Sequence, residues 1–237
     1  MASTLAGLAG LARQLTRLDE TVGEQEFKER FAGNDWPATA ETMIGIPRLL
    51  NLADCIATAV EDGVTGGFAE CGVWRGGACI MAAATFDSMG EYDRPVWVCD
   101  SFQGVPPPTD PADAGTTFHE QKILAVPAAE VRANFDRYGL LTDRVRFVEG
   151  WFADTLPGPV GDLCVLRCDG DLNSSTWQTL TALYDFVQPG GYVIVDDYGI
   201  WRGCQQAVDE FRELREITAP LQPIREGCGA VFWRRDI

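Results

Sequence analysis

Leu5, Leu8, Leu11, Leu15, Leu18 and Val22 recur at helical spacing near the start of the chain, and a second apolar face runs through residues 46–60. Together they predict a helical extension over residues 1–65. The leucine stripe is expected to pack on the core or on a second copy of the chain rather than on a membrane surface. After Gly66 the period changes to short apolar runs alternating with amphipathic segments, the pattern of a mostly parallel sheet covered by helices. Residues 68–73, 96–100, 145–149, 163–169 and 191–196 are read as five strands, and 76–86 as the first crossover helix. Later helix faces are marked by Val131, Phe135 and Tyr138, by Trp177, Leu180, Tyr184 and Val187, and by Val208, Phe211 and Leu214. Residues 220–224 and 230–233 suit a closing antiparallel pair around a turn at 226–229. The prediction is an α/β chain, effectively one domain, with residues 66–237 building a Rossmann-like sheet of seven strands and helices on both faces. Residues 102–127, with three successive prolines at 106–108, are too long and turn-rich for a simple connector and are read as a mobile active-site loop.

Composition narrows the function. Lys and Arg number 19 against 35 Asp and Glu, a formal charge of −16, so the field of the protein repels phosphate polymers and anionic membranes. Nucleic acid is not an expected partner, no membrane span is visible, and the chain is expected to be cytoplasmic. The 8 cysteines are scattered through apolar stretches without a Cys-x-x-Cys pair, and read as reduced packing residues. His119 is the single histidine, which leaves little material for a zinc site or a Ser-His-Asp or Cys-His hydrolase. Carboxylates and backbone are left to carry the chemistry.

In an open parallel sheet, ligands bind beyond the carboxyl ends of the strands, where strand order reverses. The first strand ends in Glu70-Cys71-Gly72-Val73-Trp74-Arg75-Gly76-Gly77, a glycine turn into a helix that lacks the G-x-G-x-x-G spacing of a dinucleotide site. Tight strand-to-helix packing is the alternative use of these glycines. The second strand ends in Asp100-Ser101, and an acidic residue there can accept both ribose hydroxyls or cap the following loop. A nucleoside edge without a phosphate clamp suits S-adenosylmethionine. Asp169, Asp171, Asp196 and Asp197 gather at the fourth and fifth strand ends, where a hard divalent cation such as Mg²⁺ relieves their mutual repulsion better than separate caps.

Thr42-Met43-Ile44-Gly45, the turn at 70–77, Trp97–Gln103, Gly150-Trp151-Phe152, Arg167–Asp171 and Asp196-Asp197-Tyr198, in that order, resemble the macrocin O-methyltransferase family from about residue 40 onward. The resemblance implies a class I methyltransferase fold that uses S-adenosylmethionine and Mg²⁺ to methylate hydroxyls, often those of deoxysugars on macrolides or other antibiotics. It implies that Thr42, Met43, Glu70, Gly72, Trp74 and Arg75 surround the methionine part of the cofactor and that Asp100 holds its ribose. Ser101, Gln103, Trp151 and Phe152 then border the adenosine, Asp169 adjoins cofactor and metal, and Asp169, Asp196 and Asp197 are the metal ligands. Asp171 matches the general base, with His119 in the loop as the second candidate. The family usually has His-Gln-Tyr-Asn where this chain has Phe118-His119-Glu120-Gln121, so the resemblance does not carry the family's acceptor contacts over at the missing tyrosine. The expected partner is a small glycosylated natural product, in a homo-oligomer. Alternatives are a catechol-type phenolic O-methyltransferase, which a small planar pocket favours, and a metal-dependent hydrolase, for which a nucleoside edge serves no purpose.

Overall fold

The computed structural model describes residues 2–19 and 21–236. Seven strands, β1 (Gly67–Cys71), β2 (Val96–Asp100), β3 (Val145–Glu149), β4 (Leu163–Cys168), β5 (Val187–Val195), β6 (Gln222–Pro223) and β7 (Val231–Arg234), form one sheet in the order β3-β2-β1-β4-β5-β7-β6. The first five are parallel, and β7 runs antiparallel between β5 and β6. Among the described residues eight α-helices accompany them: α1 (Ala2–Leu15), α2 (Glu24–Ala32), α3 (Gly45–Glu61), α4 (Gly77–Ser88), α5 (Ala128–Arg137), α6 (Phe152–Thr155), α7 (Asn173–Leu183) and α8 (Arg202–Leu214).

Strand alternation divides the core in two. Phe68, Val96, Val98, Tyr192 and Ile194 face α1, α3, α4 and α5, whereas Ala69, Trp97, Cys99, Val193 and Val195 face α7 and α8. In α8, Cys204, Ala207, Val208 and Phe211 fall at i, i+3, i+4 and i+7 and are all buried. Burying Phe211 alone contributes roughly 1.5–3 kcal/mol. All eight cysteines are free and buried, as their apolar surroundings predict.

Several boundaries differ from the sequence reading. β1 ends at Cys71 because Gly72, at φ 90, turns the chain out of the sheet. β5 begins at Val187, ahead of the Gly190-Gly191 pair read as a boundary, and a register irregularity opposite Leu163–Val165 absorbs the glycines. The leucine stripe serves the chain's own core: Leu8, Leu15 and Leu18 are buried in the α3/α4 cluster, which removes them as a contact for a second copy. The side chain of Leu5 lies outside the described residues. Helix α2 was not predicted, since only Phe27 and Phe31 give it an apolar edge. Pairs one turn apart hold it, Lys28–Glu24 at 2.6 Å and Arg30–Glu26 at 2.8 Å. Among the described residues no helix is long and apolar enough to cross a membrane.

Candidate active site

The strand order reverses between β1 and β4, and the chain there must bring two strand ends together without filling the crevice beyond them. Gly72 does this. A Cβ at that position would lie 1.9 Å from the Asp169 carbonyl oxygen, so the glycine serves close packing of β1 on β4 as well as access to the crevice. Beyond it opens a cavity of about 500 Å³.

Glu70, Asp100, Ser101, Trp151 and Phe152 all line this cavity. Glu70 is 1% exposed, and its carboxylate accepts from Arg167 and from the Cys79 thiol at 2.8 Å. Burial pushes its pKa up to about 7 against the pull of Arg167. Asp100 accepts from the Val73 N–H at 2.8 Å and from the Phe102 N–H at 2.7 Å. It therefore caps the loop and lines the cavity at once, so its capping does not take it out of the cavity wall. Burial still raises its pKa over those backbone donors. Ser101 Oγ bridges the Gln103 N–H and the Gly104 carbonyl, both at 3.0 Å. Thr42 and Met43 enter from the segment ahead of α3. Trp74, in the left-handed region at φ 46, lines the cavity and donates its indole N–H to the Ile123 carbonyl at 2.8 Å.

The carboxylates predicted to cluster do so. Asp169, Asp196 and Asp197 each offer an oxygen within 4.8 Å of the others, and Asp171, at φ 57, lines the same cavity. Two buried arginines supply positive charge. Arg167 reaches Glu70, Asp169 and Asp196, and Arg48, from α3, reaches Asp196 and the Gly33 carbonyl. Despite burial, Arg167 and Arg48 hold the Asp196 carboxyl below its ordinary pKa. Asp197 and Asp171 are driven well above theirs, by burial and then by the neighbouring carboxylates. Asp197 Oδ2 is buried without a hydrogen-bond partner. An all-oxygen donor set, an orphaned carboxylate oxygen and five acids against two guanidiniums fit a hard divalent cation.

Three sequence candidates lie elsewhere. Arg75 is absent from the cavity wall, because its guanidinium donates to the Pro37 and Ala40 carbonyls at 2.9 and 3.0 Å and lies over the Trp74 ring. Gln103 is exposed outside the cavity. His119 sits on the outer side of a 3-10 turn whose inward residue, Phe118, packs edge-on against Trp201 at 4.7 Å, so its imidazole is not placed as a base. Its nearest charged neighbour is Glu120, at 3.8 Å. Sequence reasoning missed Arg48, although a lone arginine among Ile46, Leu49, Leu52 and Ile56 on a buried helix face signals a paired charge. It also gave no role to Asn34 and Trp36, which line the cavity from a segment without a motif.

A switch-point cavity edged by the acids of β1 and β2, on a parallel sheet with an antiparallel β7 next to β5, is the arrangement of the class I S-adenosylmethionine-dependent methyltransferases. Residues 9–235 match the sequence profile of the macrocin-O-methyltransferase family, to which the chain belongs, and it is an S-adenosylmethionine-dependent O-methyltransferase. It is 48% identical over 217 residues to the 8-demethyl-8-(2,3-dimethoxy-alpha-L-rhamnosyl)-tetracenomycin-C 4'-O-methyltransferase of Streptomyces olivaceus, covering 90% of this chain and 82% of that one. Identity to the demethyldecarbamoylnovobiocin O-methyltransferase of Streptomyces niveus is also 48%, over 92% of this chain and 83% of that one. The solved structure of the O-methyltransferase NovP superposes with a TM-score of 0.92 at 42% identity, covering 99% of this chain and 100% of that one. The hydrolase alternative is thereby set aside.

Proposed function

We propose that the protein methylates a hydroxyl of a sugar carried by a glycosylated secondary metabolite, with Asp171 as general base and Asp169, Asp196 and Asp197 holding Mg²⁺. The observation that carries this reading is that these carboxylates open onto the cavity that Glu70 and Asp100 line, under the segment 102–127. The rhamnosyl-tetracenomycin relative acts on a sugar of this kind. A roomy cavity whose wall includes Pro106, Pro107 and Phe118 from that segment favours a bulky glycoside over a planar catechol. The excess of acids over arginines there disfavours phosphorylated acceptors.

Asp100, its carboxylate already oriented by two backbone N–H groups, accepts the ribose hydroxyls of the cofactor. Trp151 and Phe152 border the adenosine, and Met43 with the Gly72 turn surrounds the methionine portion. Arg48 and Arg167 keep Asp196 ionised and fix its plane. A divalent cation held by the three aspartates, when bound, lowers the pKa of an acceptor hydroxyl and neutralises their charge. Asp171 takes the hydroxyl proton, and the walls hold oxygen and methyl in line, which supplies much of the acceleration. Trp36 and Asn34, at the mouth, wall the acceptor side.

The test is calorimetric titration of S-adenosylmethionine into EDTA-treated protein, with and without Mg²⁺ and with Asp196→Ala, followed by radiolabelled methyl transfer to glycosides and catechols. Cofactor binding, a Mg²⁺ heat lost in the variant and label on a sugar hydroxyl are expected. Label on catechol alone rejects the acceptor assignment, and transfer at full rate in EDTA rejects the metal.

A further inference from the structure

Helix α7 begins without a cap of its own. Its N-cap residue is Leu172, whose side chain cannot accept a hydrogen bond, so the Asn173 N–H at the first turn needs an acceptor from elsewhere. The acceptor comes from sixty residues upstream. Both carboxylate oxygens of Asp113 take the Asn173 N–H, at 3.1 and 3.0 Å. A carboxylate is the favoured partner for the positive end of a helix. Asp113 is 2% exposed and closes the 3-10 turn Pro111–Asp113, itself started by Asp110, whose Oδ1 accepts from the Ala112 N–H at 2.8 Å.

The fit is close on the far side as well. Gly203, in the first turn of α8, presents no side chain to Asp113, and a Cβ there would lie 1.8 Å from Asp113 Oδ1. Asn173 Nδ2 in turn donates to the Gly203 carbonyl at 3.1 Å, joining the starts of α7 and α8 around the carboxylate. Asp171 stands two residues before Asn173, in the turn that leaves β4. The segment that roofs the cavity and the turn that carries the candidate base therefore meet at a single buried contact.

We propose that Asp113 is a positioning residue: by capping α7 from within segment 102–127 it latches that segment over the cavity and fixes the turn that presents Asp171. Two further contacts hold the same segment, Phe118 against Trp201 and the Trp74 indole on the Ile123 carbonyl, but neither reaches the Asp171 turn. The kinetic consequence rests on the methyl-transfer function proposed above, whereas the latch itself does not.

Lys122 is the one Lys or Arg between Arg94 and Arg132, and it is exposed, so trypsin cleavage after it reports opening of the segment. Asp113→Ala and Gly203→Ala, the first removing the carboxylate and the second filling its space, are each expected to speed this cleavage about ten-fold. The double variant should be cut little faster than Asp113→Ala and much less than additively, because the shortened side chain removes the 1.8 Å contact and leaves the new methyl only the Asn173 N, 3.1 Å away, to displace by a few tenths of an ångström. Asp113→Asn keeps one acceptor oxygen and should recover part of the protection, and as an isosteric change it keeps the test valid if either alanine variant fails to fold. In the transfer assay kcat should fall about ten-fold with a smaller change in KM, and Asp113→Asn should regain part of it. Wild-type cleavage rates in both single variants, or additive effects in the double variant, overturn the latch. Faster cleavage with unchanged kcat overturns the positioning role. Cleavage needs neither cofactor nor acceptor, so a wild-type protein that transfers no methyl group counts against the proposed function while the latch is still decided.

Discussion

Replacing Arg48 with methionine tests whether the acid cluster depends on imported positive charge. The Arg48 side chain is 5% exposed, and its guanidinium serves Asp196 and, at 3.0 Å, the Gly33 carbonyl. Removing one partner of a buried ion pair costs about 3–5 kcal/mol, because the other charge is left in a dry environment. Asp196 keeps Arg167, and methionine refills much of the volume, so the lower end, about 3 kcal/mol, applies. For a chain of this length each kcal/mol moves the unfolding midpoint by roughly 2–4 °C, so the EDTA-treated variant should melt roughly 6–12 °C below the wild type. A divalent cation at Asp169, Asp196 and Asp197, as proposed, would supply the missing charge, and a ligand that binds only the native state raises stability by mass action. Saturating Mg²⁺ should therefore stabilise the variant more than the wild type and return at least half of the loss. Thermal circular dichroism with EDTA and with Mg²⁺ measures both quantities. A drop of less than about 2 °C in EDTA, or a Mg²⁺ shift no larger in the variant than in the wild type, would falsify the account of Arg48 as counter-charge.

Asp171→Asn should lower kcat by roughly 10²–10⁴ in steady-state assays while calorimetry finds cofactor affinity unchanged, and a variant with full turnover removes Asp171 as base. Gly72→Ala puts a methyl 1.9 Å from the Asp169 carbonyl at a φ of 90, so urea denaturation should register a loss of at least about 3 kcal/mol, and a loss below about 0.5 kcal/mol contradicts the packing role. The eight cysteines, all buried, should react with a thiol reagent slowly in the native protein and completely in denaturant, and rapid native labelling rejects the buried assignment. Burial pushes the Cys164 thiol up to about 12 from an ordinary value near 9, so the unfolded chain releases that proton first as pH rises. Stability should accordingly fall between pH 9 and 12, by up to about 1.4 kcal/mol per pH unit for this thiol, and denaturation midpoints that stay flat over that interval contradict the shift.

The elements read correctly from sequence are those whose pattern is set by one dominant burial. β2 and β3 match residue for residue, since Val96–Asp100 is a short apolar run and Val145–Glu149 mixes three apolar residues with the exposed Arg146 and Glu149, each between polar breaks. Helix α2 went unread because its side chains bury almost nothing; pairs between adjacent turns and its attachment to α3 hold it. β5 was truncated because Gly190-Gly191 signals a break to any local rule, while pairing to β4 and β7 on either side carries the strand through.

The site divides the same way. Glu70, Asp100, Asp169, Asp171, Asp196 and Asp197 were visible because each is an acid at or near the end of an apolar run, where a local pattern and a buried charge conflict. Some groups that resolve those conflicts are local, Arg167 two residues from Asp169 and the Phe102 N–H two from Asp100, but Arg48 is 148 residues from Asp196, and the cap that Asp113 gives Asn173 spans 60. The separation follows from the fold. Residues adjoining a parallel strand end turn back into a helix or into the sheet, so only a few of them reach the acid beside them, as Arg167 reaches Asp169 and the Phe102 N–H reaches Asp100. A counter-charge or cap that does not come from the strands themselves, as Arg167 does, arrives from the elements laid over the crevice, the extension for Arg48 and segment 102–127 for Asp113. A single sequence shows the acids in place and leaves their partners scattered among ordinary arginines and aspartates. An acid at a strand end with no local partner is thus the signal to look for a remote one.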